Sequence, residues 1–232
     1  MKIQILKNDE FPQQLREIPK PPKKLYIKGS LPSTDARILC IVGSRRNSDY
    51  GKKVVWDLVS GLKGYDVCIV SGLAIGIDSI VHEVALHYGI QTIAFPGSGL
   101  NTEVIYPKCN VGLSERILDS GGALVSEYEP NQKALPWMFP NRNRLMAGIS
   151  HAVIVIEAEK LSGSLITSRL GLDYNREVGA VPGNITSSLS DGPNDLIRNG
   201  AVPITCSSDV LEMLGFTVER NGGNVSKDFN QT

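Results

Sequence analysis

No stretch of this chain approaches the ~20 consecutive apolar residues that a membrane-spanning helix requires. Residues 1–15 carry neither a long apolar core nor the small-residue cleavage site of a secretory leader. The expected location is cytoplasmic, with no membrane contact. The four cysteines form no CxxC pair, and of the three histidines His82 and His87 stand five apart, off the i, i+4 spacing of helical metal ligands. No metal site is expected. Cys40 and Cys68, set inside apolar runs, read as small buried hydrophobes of a reducing compartment. Excess charge is lacking too: Lys plus Arg is 24 and Asp plus Glu is 24. That excludes a surface coated in positive charge and leaves room for a local basic groove.

Several catalytic and cofactor-binding patterns are also missing. There is no GxGxxG dinucleotide turn and no P-loop lysine, which disfavours NAD and ATP, and no cofactor is expected. No G-x-S-x-G occurs, no histidine adjoins a serine or cysteine motif, and no carboxylate pair sits at the glycine loops. The chain holds donors and arginines but little acid–base equipment, so it reads as a binding protein and not an enzyme.

What it does have is a recurring strand, glycine turn and helix. It is organised around Ser71-Gly72-Leu73-Ala74-Ile75-Gly76-Ile77-Asp78, which follows the apolar run Val67-Cys68-Ile69-Val70 and leads into a helical pattern over 77–87. Unpaired N–H groups and the helix dipole suit such a turn to a phosphate or another anion. Similar turns are Gly43-Ser44-Arg45 after a run at 36–42, Gly97-Ser98-Gly99 after 91–95, and Ser162-Gly163-Ser164 after 152–156. Further strands are expected at 123–125, 178–181 and 203–205. Helices are expected at 50–62, 111–118, 141–147, 164–175, 191–198 and 208–214, the last capped by Ser207 or Ser208. This alternation predicts an α/β fold, an extended Rossmann-like and mostly parallel sheet with helices on both faces. Ligands of such sheets bind at strand carboxyl ends, where the strand order reverses. Residues 1–34, rich in proline and lysine, read as an N-terminal extension with one short strand. Residues 35–215 read as the Rossmann-like domain, and 216–232 as a polar tail expected to be disordered.

Two clusters stand out chemically. After the first long strand, Gly43 allows close backbone approach, Ser44 offers a hydroxyl, and Arg45 and Arg46 can fork onto phosphate; the competing account is a turn with solvated arginines. The second is Phe139-Pro140-Asn141-Arg142-Asn143-Arg144. Arginines at a helix start oppose the dipole by a few tenths of a kcal/mol, which makes more sense if an anion sits there. Phe139 could stack on a base, worth ~1–3 kcal/mol, or fill the core. Asp78 reads as a cap, a structural acid or a ligand contact, and Glu127 as the partner of an arginine within 142–144. Ser162-Gly163-Ser164 reads as an N-cap and a second phosphate site.

These stretches, with Pro21-Pro22-Lys23-Lys24-Leu25-Tyr26, Tyr106-Pro107, Glu157-Ala158 and Pro182-Gly183 in the same order, resemble the DprA/Smf family of DNA-processing proteins over roughly residues 8–214. The resemblance implies a Rossmann-like fold, binding of single-stranded DNA in a basic pocket, a homodimer, and loading of the RecA recombinase during DNA uptake and recombination. It implies no catalytic activity. By position it makes Arg45 a phosphate-binding arginine, Phe139 a base-contacting aromatic, and Arg142 and Arg144 pocket-lining, with Lys133 near the mouth. The expected DNA contacts, taken together, are Gly43, Ser44, Arg45, Arg46, Ser71, Gly72, Gly76, Gly97, Ser98, Gly99, Lys133, Phe139, Asn141, Arg142, Asn143, Arg144, Ser162, Gly163 and Ser164. The helical domain and winged helix that flank this region in many members have no counterpart here, so the chain reads as a short form. Two alternatives use the same fold: a nucleotide-binding sensor, and a nucleotide phosphoribohydrolase. Against the second, residues 165–172 lack the glutamate that follows the glycine turn of those enzymes.

Overall fold

The computed structural model describes residues 1–218, so residues 219–232 of the tail expected to be disordered lie outside the described residues. The chain opens with β1 (Gln4–Lys7), a single helical turn α1 (Gln13–Arg16) and β2 (Lys24–Gly29). The segment expected to carry one short strand thus carries two. The apolar runs follow as β3 (Arg37–Val42), β4 (Val67–Ser71), β5 (Thr92–Ala94), β6 (Ala123–Ser126), β7 (Ala152–Val155), β8 (Glu177–Ala180) and β9 (Val202–Pro203). They form one nine-stranded sheet in the order β1-β2-β6-β5-β4-β3-β7-β8-β9. β2 is antiparallel to β1 and to β6, and every other neighbouring pair is parallel. The fold is therefore the α/β, Rossmann-like arrangement expected.

Both faces of the inner strands are covered, which is why their sequences are almost wholly apolar. Ile38, Cys40 and Val42 of β3 point to one core, shared with α5 (Met138–Ile149) and α6 (Gly163–Asp173). Leu39 and Ile41 point to the other, shared with α2 (Asp49–Ser60), α3 (Ile77–Tyr88) and α8 (Ser207–Met213). The remaining helices, α4 (Val111–Asp119) and α7 (Asp191–Arg198), lie along the same chain of crossovers. Cys40 and Cys68 are buried free thiols, as read from the sequence, and burial pushes both up from the ordinary thiol range. Phe216, the first residue of the tail expected to be disordered, is instead held by packing edge-on against Tyr65 at 5.2 Å. No helix among the described residues is long and apolar enough to cross a membrane.

Two boundaries differ from expectation for a physical reason. α5 begins at Met138, before Phe139-Pro140, because a proline within the first turn sacrifices an N–H that has no helical partner anyway. α8 is capped by Cys206 rather than Ser207 or Ser208: Asp209 turns back to accept the N–H groups of Thr205 and Cys206 at 2.7 and 3.1 Å.

The strand order fixes where a ligand can go. From β3 the chain builds outward through β4, β5 and β6, then returns to place β7 on the other side of β3. The order reverses between β3 and β7, and the loops leaving their carboxyl ends diverge there.

Candidate nucleic-acid interface

A crevice of about 680 Å³ opens at this reversal. Its walls are the loop after β3 (Gly43, Ser44, Arg45, Arg46), the first half of α5 (Phe139, Arg142, Asn143) and the start of α6 (Ser162, Gly163, Ser164). Three of the four glycine turns picked from the sequence therefore contribute lining residues, the fourth packs behind Phe139, and the arginine-rich segment forms one side.

The β3 loop is held from below and behind. Gly76 has φ 83°, and a Cβ there would lie 2.4 Å from the Ser44 carbonyl oxygen, so only glycine lets the two loops touch. Ile77 N–H then donates to that same oxygen at 3.1 Å. Behind the loop, the buried Glu157 accepts from the Ser48 N–H at 2.9 Å and from the Ser48 hydroxyl. Ser48 in turn caps α2 through the Gly51 N–H. With both ends anchored, Arg45 and Arg46 stand exposed, and neither forms an ion pair among the described residues.

Phe139 sits at the mouth. Gly97 lies against one edge of its ring, so close that a Cβ there would be 2.4 Å from Cδ1. The Arg45 guanidinium lies over the ring, 5.6 Å from its centroid. A cation and a stackable ring thus meet at one point, the pairing that a phosphate and its base require.

Arg142 does something other than reach for phosphate. It is only 6% exposed, and its Nη1 donates to the carbonyls of Gly72, at 2.6 Å, and Phe95. Its Nε donates to Asn143 Oδ1 at 3.1 Å. Asp78 approaches Gly72 from the opposite side and accepts its N–H at 3.1 Å, with a weaker bond from the Ala74 N–H at 3.4 Å. Burial pushes the Asp78 carboxyl up and the Arg142 guanidinium down, and each offsets the other's cost across the Gly72 peptide. The central turn therefore already holds an anion, the chain's own Asp78. The N–H groups of Gly72, Ala74 and Ile77 are spent on Asp78 and Ser44, and of that stretch only Ala74 and Asp78 face the crevice. Ser71, Gly72 and Gly76 lie behind the wall, Ser71 donating to the Ile41 carbonyl at 2.7 Å.

The other expected residues divide in the same way. Gly97, Ser98 and Gly99 are buried, beneath Phe139 and the carbonyls of Glu129 and Pro130. Arg144 turns away to pair with Glu127, the acid expected to take an arginine of this segment, and to donate to the Lys20 carbonyl at 2.7 Å. Asn141 donates to the Tyr128 hydroxyl at 3.0 Å, and Lys133 is exposed outside the crevice. Asn143 faces the crevice while tying α5 to α6 through the Gly163 carbonyl at 3.2 Å.

The α6 wall adds a residue absent from the expected set. Ser162 caps the helix by accepting the Ser164 N–H at 3.3 Å, and the two hydroxyls lie 2.6 Å apart. Thr167 lies one turn on from Ser164 on the same face, is 1% exposed, lines the crevice floor, and its Oγ1 has no hydrogen-bond partner among the described residues. An unmet buried hydroxyl costs about 1–3 kcal/mol, which a ligand oxygen or nitrogen would recover. Thr167→Val is accordingly expected to leave the protein equally stable or up to about 1 kcal/mol more stable while weakening ligand binding several-fold. Thermal unfolding and titration of the same variant check both halves; a clear loss of stability contradicts it.

A crevice lined by arginines, with an aromatic ring at its mouth, at the reversal point of a mostly parallel sheet covered on both faces defines a Rossmann-like α/β protein. The chain belongs to the DNA recombination-mediator protein A family, whose model matches residues 2–215. It is 42% identical over 209 residues to DNA processing protein DprA of Streptococcus pneumoniae, covering 90% of this chain and 73% of that one. It is 41% identical over 206 residues to Protein Smf of Escherichia coli, covering 89% of this chain but only 54% of the relative. Among solved structures, DprA of S. pneumoniae superimposes with a TM-score of 0.82 at 39% identity, over 91% of this chain and 74% of that one. DNA processing protein A of Helicobacter pylori, described for its single-stranded DNA binding mode, superimposes with a TM-score of 0.80 at 30% identity, over 92% and 95%. A molybdenum cofactor binding protein of Rippkaea orientalis, at 16% identity and a TM-score of 0.55, shares the fold.

Proposed function

We propose that this chain binds single-stranded DNA in the crevice between β3, α5 and α6, tolerating most sequences, and that it does so to protect the strand and pass it to a RecA recombinase. The observation that carries the reading is Arg45 over the Phe139 ring at the crevice mouth, 5.6 Å apart. One nucleotide can stack on the ring while its phosphate meets the guanidinium, and Arg46, Ser162 and Ser164 supply donors to either side. Family membership supports the reading, and so does the single-stranded DNA binding named for the H. pylori relative. Self-association as a homodimer and delivery to RecA belong to the same proposal. With net charge zero, positive charge must be concentrated at the crevice for binding to occur.

The test is fluorescence anisotropy with labelled oligo-dT, its matched duplex and a mononucleotide competitor, at two salt concentrations. Preference for the single strand, falling steeply with salt, is expected. Equal affinity for the duplex, or full displacement by the mononucleotide at concentrations where oligo-dT competes no better, overturns it in favour of a nucleotide sensor.

A further inference from the structure

A second aromatic, Tyr106, stands against Phe139 at the mouth of the crevice. Tyr106 is 48% exposed on the loop that follows β5, with its ring centroid 5.7 Å from that of Phe139 and tilted by 50°. It stands outside the crevice wall, and its hydroxyl makes no hydrogen bond among the described residues. A ring of this size is ordinarily buried, or has its polar end satisfied.

Phe139 cannot serve more than one base. Gly97 closes one edge of its ring and Arg45 covers it from above. Tyr106 presents the next free aromatic surface on the outward side. The 5.7 Å between the rings exceeds the about 3.4 Å between stacked bases of one strand, so two neighbouring bases could occupy both only if splayed apart. Single-strand binders splay bases in this way, giving each its own ring. Charge favours the same path. Lys108, two residues further along the loop, is an exposed cation whose Nζ donates to the Glu103 carbonyl.

We propose that Tyr106 is a second base platform, taking the nucleotide next to the one stacked on Phe139, so that a bound strand leaves the crevice along the loop over residues 101–110. This rests on reading the crevice as a single-stranded DNA site. It makes Tyr106 a contact residue that determines how long a strand must be for full affinity.

The experiment is anisotropy with a graded length series of labelled oligo-dT, on wild type, Tyr106→Leu, Tyr106→Trp and Phe139→Leu. Tyr106→Leu is expected to weaken the longer members roughly tenfold while matching wild type on the shortest member that binds. Tyr106→Trp, which keeps a ring, is expected to restore the wild-type length dependence, and Phe139→Leu to weaken every member. On the wild-type protein, an oligonucleotide carrying 5-iodouracil is expected to photo-crosslink to Tyr106, a readout that needs no substitution. The inference is overturned if Tyr106→Leu follows wild type at every length, if it weakens the shortest and longest members alike, or if no crosslink reaches Tyr106. If wild type binds with a Phe139-dependent affinity in those cases, only Tyr106 loses its role. A wild type that binds no single strand removes both this inference and the reading beneath it.

Discussion

Arg142→Leu is expected to cost about 3–5 kcal/mol of stability at neutral pH, far more than the loss of a surface arginine. The substitution removes the donors that satisfy the buried carbonyls of Gly72 and Phe95, and it leaves the Asp78 carboxylate without its counter-charge in the same closed space. The sign of the pH dependence follows. Burial already raises the Asp78 carboxyl in the folded protein, and loss of Arg142 raises it further. A carboxyl with a raised folded-state pKa binds its proton more tightly when folded, so its penalty is present above that pKa and relieved as the pH falls through it. The deficit of the variant should therefore shrink on acidification. Urea unfolding of both proteins at neutral and mildly acidic pH measures it. A deficit below about 1 kcal/mol, or one that grows with acid, contradicts the clasp. Any loss of DNA binding in this variant reports a loosened fold, which makes Arg142 a poor probe of the site and Arg45 a good one.

Gly97→Ala is expected to give the opposite profile: nearly unchanged stability and a loss of single-strand affinity of roughly tenfold. The new Cβ would stand 2.4 Å from Phe139 Cδ1 and 2.6 Å from Cε1. Phe139 is half-buried at the mouth, so the ring can yield outward at little cost, but it then fills the place where a base would stack and parts from Arg45. Thermal unfolding beside oligo-dT titration separates the two effects. Undiminished affinity would show that the orientation of Phe139 does not matter.

The contrast between these two positions shows what the sequence made legible. The sheet was readable because inner parallel strands need apolar side chains on both faces, and runs such as 36–42 and 152–156 have no other economical use. The reversal rule then located the crevice without any side-chain information. Which residues face it was much harder to read. Arg142 and Arg144 are two apart on a helix, about 200° around its axis, so one turns into the wall and the other out to Glu127. Nothing in the tetrapeptide says which. The central turn looked like an empty anion site although Asp78 closes the same stretch, because only the fold brings its carboxylate back onto the Gly72 N–H, six residues earlier. Gly97, Ser98 and Gly99 looked like a phosphate loop, yet all three are buried, Gly97 against the Phe139 ring and Gly99 against the carbonyls of Glu129 and Pro130. Thr167 could have been found from helical period, since it lies three residues after Ser164 and shares its face.

The central claim is that Arg45 and Phe139 together receive a nucleotide of a single strand. It is tested most directly by comparing wild type with Arg45→Ala in oligo-dT anisotropy across a salt series, with thermal unfolding alongside. Arg45 is exposed and unpaired in any ion pair among the described residues, so its removal should leave the unfolding midpoint unchanged. The account predicts affinity lower by about tenfold or more and a salt slope shallower by about one unit, the mark of one lost phosphate contact. Single-strand binding that persists with the same affinity and the same salt slope would contradict it.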